Sequence, residues 1–537
     1  MRTIDAVAAE LDLPTGRVLP WGPNRAKVQL EATRSPRGRL ILVSAMNPTP
    51  AGEGKTTMSI ALAMGLNRRG RNAAVALREP SLGPIFGKKG GGTGGGRSTV
   101  EPGDDINLHF TGDIHAITTA HNLLAAMVDN AMYFREGPDP RRVRWRRAID
   151  MNDRALRRTI IGLDGPIRET GFDITAASEV MAIHGLALDA ADLESRLGRI
   201  LVGETSKGEP VRAADLGASG AMAALLRDAL MPNLVQTVEG TPAFVHGGPF
   251  ANIAHGCSSL AATRLALGYA DDVVTEAGFG FDLGGEKFLD IACRAGGLWP
   301  SVVVLVATIR ALKYHGGVGE KSLAESNEAA LIRGLANLDR HLESITGFGL
   351  PAVVCINRFA DDRPEEVELV RRHVQARPDV TVATCDAFAQ GGDGALELAD
   401  AVIAAPTGSA EPRFAYELSA SYPQKLGAVA RRFYGAGGVV ITPEARADLA
   451  RIEAIAGTDL PVCVAKTPLS VTDNPEVRGA PTDFSITVRE LRLSAGAGFV
   501  VALTGEIMTM PGLPKAPSAA RIRLDPDGRI RGLMQGD

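Results

Sequence analysis

The sequence predicts an α/β protein built on a parallel β-sheet, and three observations lead to this fold class. Short, almost continuous apolar runs recur along the chain, as expected of strands that are buried on both faces of a parallel sheet. Segments with the apolar spacing of a helix lie between them, and this alternation favours parallel strands joined by helices. Glycine contributes 61 of 537 residues while aromatic residues are only 5%, which suits many tight turns between strands and helices.

The elements can be assigned in chain order. The run RLILVSAM predicts a strand at 39–46, the helical spacing after it predicts a helix at 56–69, and a second strand is expected at 72–77. Further buried strands are predicted at 302–309, 352–356, 380–384, 462–465 and 498–503. Helical patterns lie at 113–130, 323–342 and 394–404, and a DPDG sequence within 522–533 predicts a terminal hairpin.

The chain length predicts about three domains, at roughly 100–200 residues each. Clusters of turn-forming residues at 347–351 and 435–443 are the expected boundaries. We therefore expect a large domain over 1–346, a second over 347–436 and a third over 437–537.

Charge and cysteine content exclude several classes of protein. The net charge is −4, whereas proteins whose main task is nucleic-acid binding are usually strongly basic. The five cysteines form no C-x-x-C pair, so neither a zinc site nor a redox motif is expected and reduced thiols are favoured.

No apolar run approaches the ~20 residues of a membrane span, and the acid-containing N-terminal segment does not resemble a signal peptide. The expected compartment is the cytoplasm.

A phosphate-binding loop is the strongest local signal. The segment TPAGEGKTT at 49–57 follows the first predicted strand and opens the first predicted helix, which is the context that such a loop needs. Backbone N–H groups and the helix N-terminus can surround phosphate oxygens, with Lys55 directed at the β- and γ-phosphates and Thr56 as a ligand of Mg²⁺. The usual first glycine is replaced by Thr49. The nucleotide-binding residues are Thr49, Pro50, Ala51, Gly52, Glu53, Gly54, Lys55, Thr56 and Thr57, and the fold becomes a phosphate-loop NTPase-like domain plus two smaller α/β domains.

Several longer motifs carry a resemblance to a known family. They are REPSLGP at 78–84, DINLHFTGD at 105–113, MNDRALR at 151–157, HGGPFANIAHG at 246–256 and EAGFG at 276–280. In this order, with the phosphate loop, they resemble formate–tetrahydrofolate ligase over almost the whole chain. The resemblance implies an enzyme that uses ATP, Mg²⁺ and a monovalent cation (K⁺ or NH₄⁺) to join formate to tetrahydrofolate through formyl phosphate. It also implies a homotetramer of three-domain subunits.

The candidate catalytic residues lie at the expected ends of strands and helices. Arg78 follows a strand and offers a forked set of donors for formate and the acyl phosphate; the alternative is a surface arginine paired with Glu79. His109 and Asp113 could orient the folate amine or accept its proton. Their alternatives are a buried, hydrogen-bonded His109 and an Asp113 that caps a helix. Lys55 and Glu79 complete the catalytic set.

The folate site is expected from two aromatic residues. Flat pterin rings stack on aromatic faces, and the resemblance places Phe359 and Phe388 at the family's two stacking positions. Family members usually carry Trp at the position of Phe388, and Tyr where Arg97 follows the glycine-rich stretch 87–96. These departures leave open a diverged paralogue that binds nucleotide or folate with little turnover or altered pterin preference. A phosphate-loop ATPase switch is a third hypothesis.

Overall fold

A twelve-stranded sheet forms the centre of the protein. The computed structural model describes residues 1–30, 34–50, 52–89, 91–408, 411–505 and 507–533. Across the sheet the strands follow the order Val18–Pro20, Ala26–Val28, Asn233–Thr237, Pro242–Val245, Ala73–Leu77, Asp272–Glu276, Arg39–Ala45, Val302–Ala307, Ala352–Asn357 and Val380–Cys385, with Ser98–Glu101 and Gly94–Gly95 attached beside Asn233–Thr237.

Parallel pairing dominates this sheet. Every neighbouring pair from Pro242–Val245 to Val380–Cys385 is parallel, whereas the strands on the other side of Pro242–Val245 pair antiparallel. The carboxyl ends of the parallel strands consequently meet at one edge of the sheet, where α/β proteins bind their ligands.

Helices cover both faces. Along Arg39–Ala45, Leu40 and Leu42 pack into one apolar core while Ile41 and Val43 pack into the other, because successive strand side chains point to opposite faces. The longer helices are Ile4–Glu10, Lys55–Arg68, Asp113–Tyr133, Glu179–Leu186, Ala190–Arg199, Ser219–Leu225, Leu260–Tyr269, Ile309–His315, Glu328–Gly347, Pro364–Gln375, Leu396–Ala404, Tyr422–Val429 and Pro443–Ala456. Shorter helical segments include Gly103–Ile106, Phe281–Gly285, Phe288–Cys293, Arg294–Gly296, Ala387–Gln390 and Ala430–Tyr434.

Smaller sheets surround this body. One is three-stranded, in the order Val462–Ala465, Phe499–Leu503 and Glu490–Ser494. The two-stranded pairs are Gly438–Ile441 with Ser485–Val488, Arg147–Ile149 with Phe172–Ile174, Leu201–Glu204 with Pro210–Arg212, Thr159–Ile161 with Arg168–Thr170, and Arg523–Leu524 with Ile530–Arg531. The predicted α/β class, with a large and mainly parallel sheet, is confirmed.

Every buried strand predicted from an apolar run is present within a few residues of its expected bounds. The strands Asn233–Thr237, Pro242–Val245 and Asp272–Glu276 were not predicted, although all are fully buried. The division into 1–346, 347–436 and 437–537 stays a prediction. The strands Ala352–Asn357 and Val380–Cys385, expected in the second domain, hydrogen-bond into the large sheet.

None of the helices in the described ranges combines the length and the apolar character needed to cross a membrane.

A buried carboxyl lies between the short helical segments Phe281–Gly285 and Phe288–Cys293. Glu286 is fully buried, and the nearest ammonium, Lys287 Nζ, is 3.7 Å from its Oε2. Neither Glu286 oxygen has a hydrogen-bond partner within the described ranges. Burial raises the pKa of Glu286 from its ordinary 4.5 to about 8, although Lys287 acts in the opposite direction. The folded protein therefore keeps this group protonated over a pH range in which the unfolded chain has released the proton.

We predict that Glu286→Gln removes part of the alkaline destabilisation of the fold. Between about pH 4.5 and pH 8 the unfolded state binds fewer protons at this position, so wild-type stability falls as pH rises, by on the order of a few kcal/mol. The neutral amide has no such dependence. The gain in Tm of the variant over wild type should be small near about pH 5 and clearly larger near about pH 8.5. An equal difference at both pH values, or the same trend in the exposed control Glu444→Gln, contradicts this account.

Candidate active site

The phosphate loop lies at the carboxyl edge of the sheet, between the strand Arg39–Ala45 and the helix Lys55–Arg68. Gly52 and Gly54 have φ values of +86° and +72°, in the left-handed region that favours glycine. A Cβ on Gly54 would lie 2.9 Å from Asn357 Nδ2, so the position also lacks space for a side chain. Gly54 is the N-cap of the helix, and as a glycine it offers no capping side chain. The N-terminus of this helix therefore faces the loop, where an anion is favoured.

Glu53 lies beneath the loop. It is buried, its Oε1 accepts the Thr49 backbone N–H at 2.7 Å, and its Oε2 accepts the Thr308 hydroxyl. Asn357 Nδ2 donates to the Glu53 carbonyl at 3.1 Å. These bonds fix the shape of the loop from below, so Glu53 positions the loop, and its carboxylate is directed away from the solvent side.

The other predicted loop residues occupy the same turn. Pro50 is half-buried, and Lys55 and Thr57 are half-buried in the first turn of the helix. A Cβ on Gly95 would lie 3.7 Å from Thr57 Oγ1, which places the glycine-rich stretch beside this turn. Ala51 lies outside the described residues.

Thr56, Glu276 and Arg78 come together at this edge. The Thr56 hydroxyl donates to Glu276 Oε2 at 2.9 Å, and Arg78 Nη2 is 3.8 Å from Glu276 Oε1. Arg78 Nη1 also donates to the Pro249 carbonyl at 3.4 Å, while its buried Nε has no partner among the described residues. The alternative of an arginine paired with Glu79 is wrong, because its ion pair is with Glu276. The guanidinium keeps unsatisfied donors at the edge where substrate would bind.

Glu276 is the site residue that sequence reasoning assigned no role. It ends the central strand Asp272–Glu276, which lies between the strand before Arg78 and the strand before the phosphate loop. The available signal is the acidic residue that opens the motif EAGFG, two positions before its first glycine. A buried carboxylate at the end of a strand is unusual unless a partner neutralises it.

Glu79 and Asp113 lie in a buried charged cluster. Asp113 accepts from Lys27 Nζ at 2.5 Å and from Asn233 Nδ2 at 2.7 Å, so both of its oxygens are bonded. Glu79 is buried, and its Oε2 has no hydrogen-bond partner in the described part of the chain. Burial, followed by the negative charge of Asp113, raises the pKa of Glu79 well above its ordinary value. Glu79 can therefore hold a proton or share a cation.

His109 lies on the surface, whereas Asp113 is in the interior. His109 is exposed, so its alternative interpretation as a buried, satisfied histidine is wrong. Asp113 is the first residue of its helix, Gly112 is the N-cap, and no side chain makes a capping bond; the capping interpretation is wrong too. The catalytic roles of both residues stay predictions.

Phe388 is packed on one side by glycines and is 53% exposed. A Cβ on Gly95 would lie 3.2 Å from Phe388 Cε2, and one on Gly96 would lie 2.8 Å from its Cγ. The Arg97 backbone N–H donates to the Phe388 carbonyl at 2.9 Å. The glycine-rich stretch therefore supports this ring and places the exposed Arg97 beside it.

Phe359 has one face covered. The Arg310 guanidinium lies 4.5 Å from the ring centroid and is held by Asp361 at 2.6 Å. Phe359 follows the strand Ala352–Asn357, and Phe388 follows its parallel neighbour Val380–Cys385. Both rings therefore stand at the carboxyl edge, the side on which the phosphate loop begins.

A hydrogen-bond network fixes the start of the phosphate loop. The Asn47 carbonyl accepts from His315 Nε2 at 2.9 Å, and Asn47 Nδ2 donates to Asp282 Oδ2 at 3.1 Å. Lys466 Nζ donates to the same Asp282 oxygen at 2.6 Å, and all four side chains are buried. Lys466 belongs to the C-terminal segment, so this network ties that segment to the entry of the loop.

These features define an α/β protein with a strand–loop–helix turn and converging charged side chains at the carboxyl edge of a parallel sheet. Comparison with known families agrees: the family model described as formate–tetrahydrofolate ligase matches residues 1–534. Among similar proteins, a formate–tetrahydrofolate ligase from Myxococcus xanthus is 59% identical over the full length of both chains. One from Acidiphilium cryptum is 56% identical over 99% of this chain and 98% of its own, and one from Paracoccus denitrificans is 54% identical over 99% and 97%.

The chain belongs to the formate–tetrahydrofolate ligase family. The resemblance inferred from the motifs is thereby confirmed, and the protein is an enzyme of the ligase class. The hypothesis of an unrelated ATPase switch is wrong.

We predict that Phe388→Trp tightens tetrahydrofolate binding and that Phe388→Ala weakens it by roughly 1–3 kcal/mol, the range measured for stacking of bases on aromatic rings. The larger indole adds contact area while the glycine support leaves room at the exposed side. ATP affinity should hardly change, because the ring lies beyond the phosphate loop. Calorimetric titration with each substrate measures both constants. Equal losses of ATP and folate affinity in Phe388→Ala would mean that the ring is a packing residue.

Proposed function

We propose that this chain joins formate to tetrahydrofolate in two steps driven by ATP. A formate oxygen attacks the γ-phosphorus, the bond from that phosphorus to ADP breaks, and formyl phosphate forms. The folate amine then attacks the formyl carbon, the carbon–oxygen bond to phosphate breaks, and the amine loses its proton. Membership of the family over the full chain carries this proposal.

The first step needs positive charge more than a strong base, since negative formate approaches a polyanion and charge spreads over the phosphoryl oxygens. The Lys55 side chain and the N-terminus of the helix Lys55–Arg68 supply it on the nucleotide side. Arg78 supplies it on the formate side. Its 3.8 Å distance from Glu276 is too long for a hydrogen bond, and its Nε has no partner within the described residues. Formate, and then the acyl phosphate, would satisfy these donors.

Oxygen donors at the loop fit Mg²⁺. The Thr56 hydroxyl and the Glu276 carboxylate are 2.9 Å apart, and Mg²⁺ is usually held by one or two such groups together with substrate phosphates and water. When bound there, the ion neutralises charge on the phosphates. In the described ranges, no cluster of three or more His, Cys, Asp or Glu side chains forms a self-sufficient metal site.

The monovalent cation, K⁺ or NH₄⁺, has a matching donor in Glu79, whose buried Oε2 lacks a hydrogen-bond partner among the described residues. Asp113 adds negative charge beside it. Lys27 neutralises Asp113 but not Glu79. A cation there would supply the positive charge that the pair of carboxylates still lacks.

The folate ring is proposed to lie between Phe359 and Phe388. Arg310 covers one face of Phe359, so the pterin would take the other face, and the exposed side of Phe388 would stack on the opposite side of the ligand. His109 is the exposed candidate to accept the amine proton. We also propose that the large sheet is the core of a phosphate-loop NTPase-like domain and that the chain carries two further, smaller α/β domains.

A second candidate function follows from two departures. Phe388 replaces the Trp that is usual in the family. Arg97, whose backbone N–H donates to the Phe388 carbonyl, replaces a Tyr. A diverged paralogue with little turnover or altered pterin preference would carry such changes on its folate side while keeping the phosphate loop.

We predict that the wild-type protein forms 10-formyltetrahydrofolate from formate, MgATP, K⁺ and tetrahydrofolate, measured as methenyltetrahydrofolate after acidification. Lys55→Ala should lose about a thousandfold or more in rate, because one phosphate-directed charge is worth several kcal/mol in the transition state. The exposed Lys207→Ala serves as the control. ATP binding without product would favour the second candidate. Near-wild-type turnover in folded Lys55→Ala would reject the phosphate-loop assignment.

We further propose a homotetramer, supported by an exposed apolar patch. Tyr133, Phe134, Ile160, Leu163 and Ile167 are between 62% and 78% exposed. They lie at the end of the helix Asp113–Tyr133 and on the adjoining hairpin Thr159–Ile161 with Arg168–Thr170. Exposed apolar patches of this kind usually mark interfaces. A second copy of this chain is the proposed occupant.

We predict that Leu163→Arg lowers the oligomeric state measured by size exclusion with light scattering, because it places a charge in an apolar contact. Ile332→Arg, a similarly exposed apolar position on the helix Glu328–Gly347, is the control and should leave the mass unchanged. A mass unaltered by Leu163→Arg would remove this patch from the interface.

A further inference from the structure

A cavity of about 500 Å³ lies at the junction of three parts of the chain. We call it the seam cavity. It is lined by residues from the end of the helix Ala190–Arg199, from the segment Phe288–Cys293, and from the end of the helix Pro443–Ala456 with the turn that precedes Phe499–Leu503. None of its lining residues belongs to the candidate active site, so the proposed ligase mechanism leaves the cavity unexplained.

Four arginines line the seam cavity: Arg196, Arg199, Arg212 and Arg294. Asp459 is the only acidic residue among those that line it in the described part of the chain. The remaining wall is mostly apolar and includes Leu186, Ile291, Leu418 and Leu460. Because Arg196 and Arg294 form ion pairs with Asp192 and Asp290, the positive charge left in the cavity is that of Arg199 and Arg212, beside an apolar surface.

Two of the arginines are fixed in place. Arg196 Nε donates to both carboxylate oxygens of Asp192 at 3.0 Å, and its Nη1 donates to the Ala497 carbonyl at 3.0 Å. Arg294 Nη2 donates to the Tyr416 carbonyl at 2.8 Å, and the guanidinium lies 3.7 Å from the centroid of Phe414. Their guanidinium groups are therefore oriented before any ligand arrives, which lowers the entropy cost of binding.

The other two arginines, Arg199 and Arg212, form no ion pair within 4 Å in the described ranges. Arg199 Nη1 donates to the neutral Ser195 hydroxyl at 2.8 Å. Positive groups held together in this way attract an anion.

The cavity also lies where two distant segments meet. Glu179 Oε1 accepts the backbone N–H groups of Gly496 at 2.7 Å and Ala497 at 3.3 Å, which docks the C-terminal turn onto the helix Glu179–Leu186. Arg196 makes a second bond across the same junction. Ligand pockets occur preferentially at such junctions, with volumes of about 300–1,000 Å³.

We infer that the seam cavity binds a small polyanion with an apolar or aromatic body, the chemistry of a nucleoside phosphate or an aromatic polycarboxylate. Forked guanidinium groups match the oxygens of phosphate and carboxylate, and several of them select for more than one negative charge. The apolar wall takes the body of the ligand. Occupancy would link the helix Ala190–Arg199 to the C-terminal segment.

The test is calorimetric titration with two probes, AMP for the nucleoside phosphates and benzene-1,3,5-tricarboxylate for the aromatic polycarboxylates. Wild type should bind at least one probe. The double variant Arg199→Gln/Arg212→Gln should bind it about tenfold more weakly or worse, because two positive charges of the cavity are lost, and binding to wild type should weaken with salt. Arg158→Gln/Arg529→Gln removes two exposed arginines elsewhere and should bind as wild type.

A comparison of two variants distinguishes binding at this site from binding at the phosphate loop. AMP binding that survives Lys55→Ala but is lost in Arg199→Gln/Arg212→Gln belongs to the seam cavity, and this result stands whether or not the protein has ligase activity. If the double variant does not fold, Arg199→Gln alone provides the comparison, since its side chain is exposed. The inference is overturned if neither probe binds wild type at millimolar concentration, or if the cavity and control variants bind equally.

Discussion

The proposed site depends on the two interactions that the Glu276 carboxylate makes. One oxygen accepts the Thr56 hydroxyl at the start of the phosphate-loop helix, and the other faces Arg78 at 3.8 Å. A buried carboxylate needs partners to offset its lost hydration. Glu276 therefore holds Thr56, at the nucleotide-binding turn, and Arg78, the proposed anion clamp, close to each other. Because the contact with Arg78 is long, the clamp can exchange this partner for a substrate oxygen.

The parallel sheet makes that contact possible. Asp272–Glu276 is flanked by the strands that lead to the phosphate loop and to Arg78, and all three end at the same edge. Buried partners then fix each connecting segment: Glu53 and Asn357 beneath the loop, and the Asp282–Lys466 pair at its entry. The C-terminal segment reaches the start of the loop through this last network and through the Pro468 carbonyl, which accepts from Asn47 Nδ2 at 3.3 Å. Rigid support of this kind is what a site needs when its catalysis rests on placed charges.

Features that depend on residues close together in the chain can be predicted from the sequence. Apolar runs predict most of the parallel strands of the large sheet. The phosphate-loop motif is recognisable because it stands between a predicted strand and a predicted helix. The strand Asp272–Glu276 is not an apolar run, since it begins and ends with an acid. The partners of these acids lie far away in the chain: Arg39 and Arg71 pair with Asp272, and Thr56 donates a hydrogen bond to Glu276. Asp113 likewise suggested a cap or a base, while its actual partner, Lys27, comes from the N-terminal strand pair. Partnerships across the fold are not visible in residue spacing, which is why Glu276 received no role from sequence.

If Arg78 is the anion clamp at this edge, steady-state kinetics of Arg78→Lys should separate formate binding from nucleotide binding. Lysine keeps the charge but loses the forked donors. We expect a KM for formate raised by about tenfold or more and an ATP Kd changed by less than about twofold, with the fold retained. Loss of ATP binding with an unchanged dependence on formate would mean that Arg78 serves the nucleotide and that the clamp lies elsewhere.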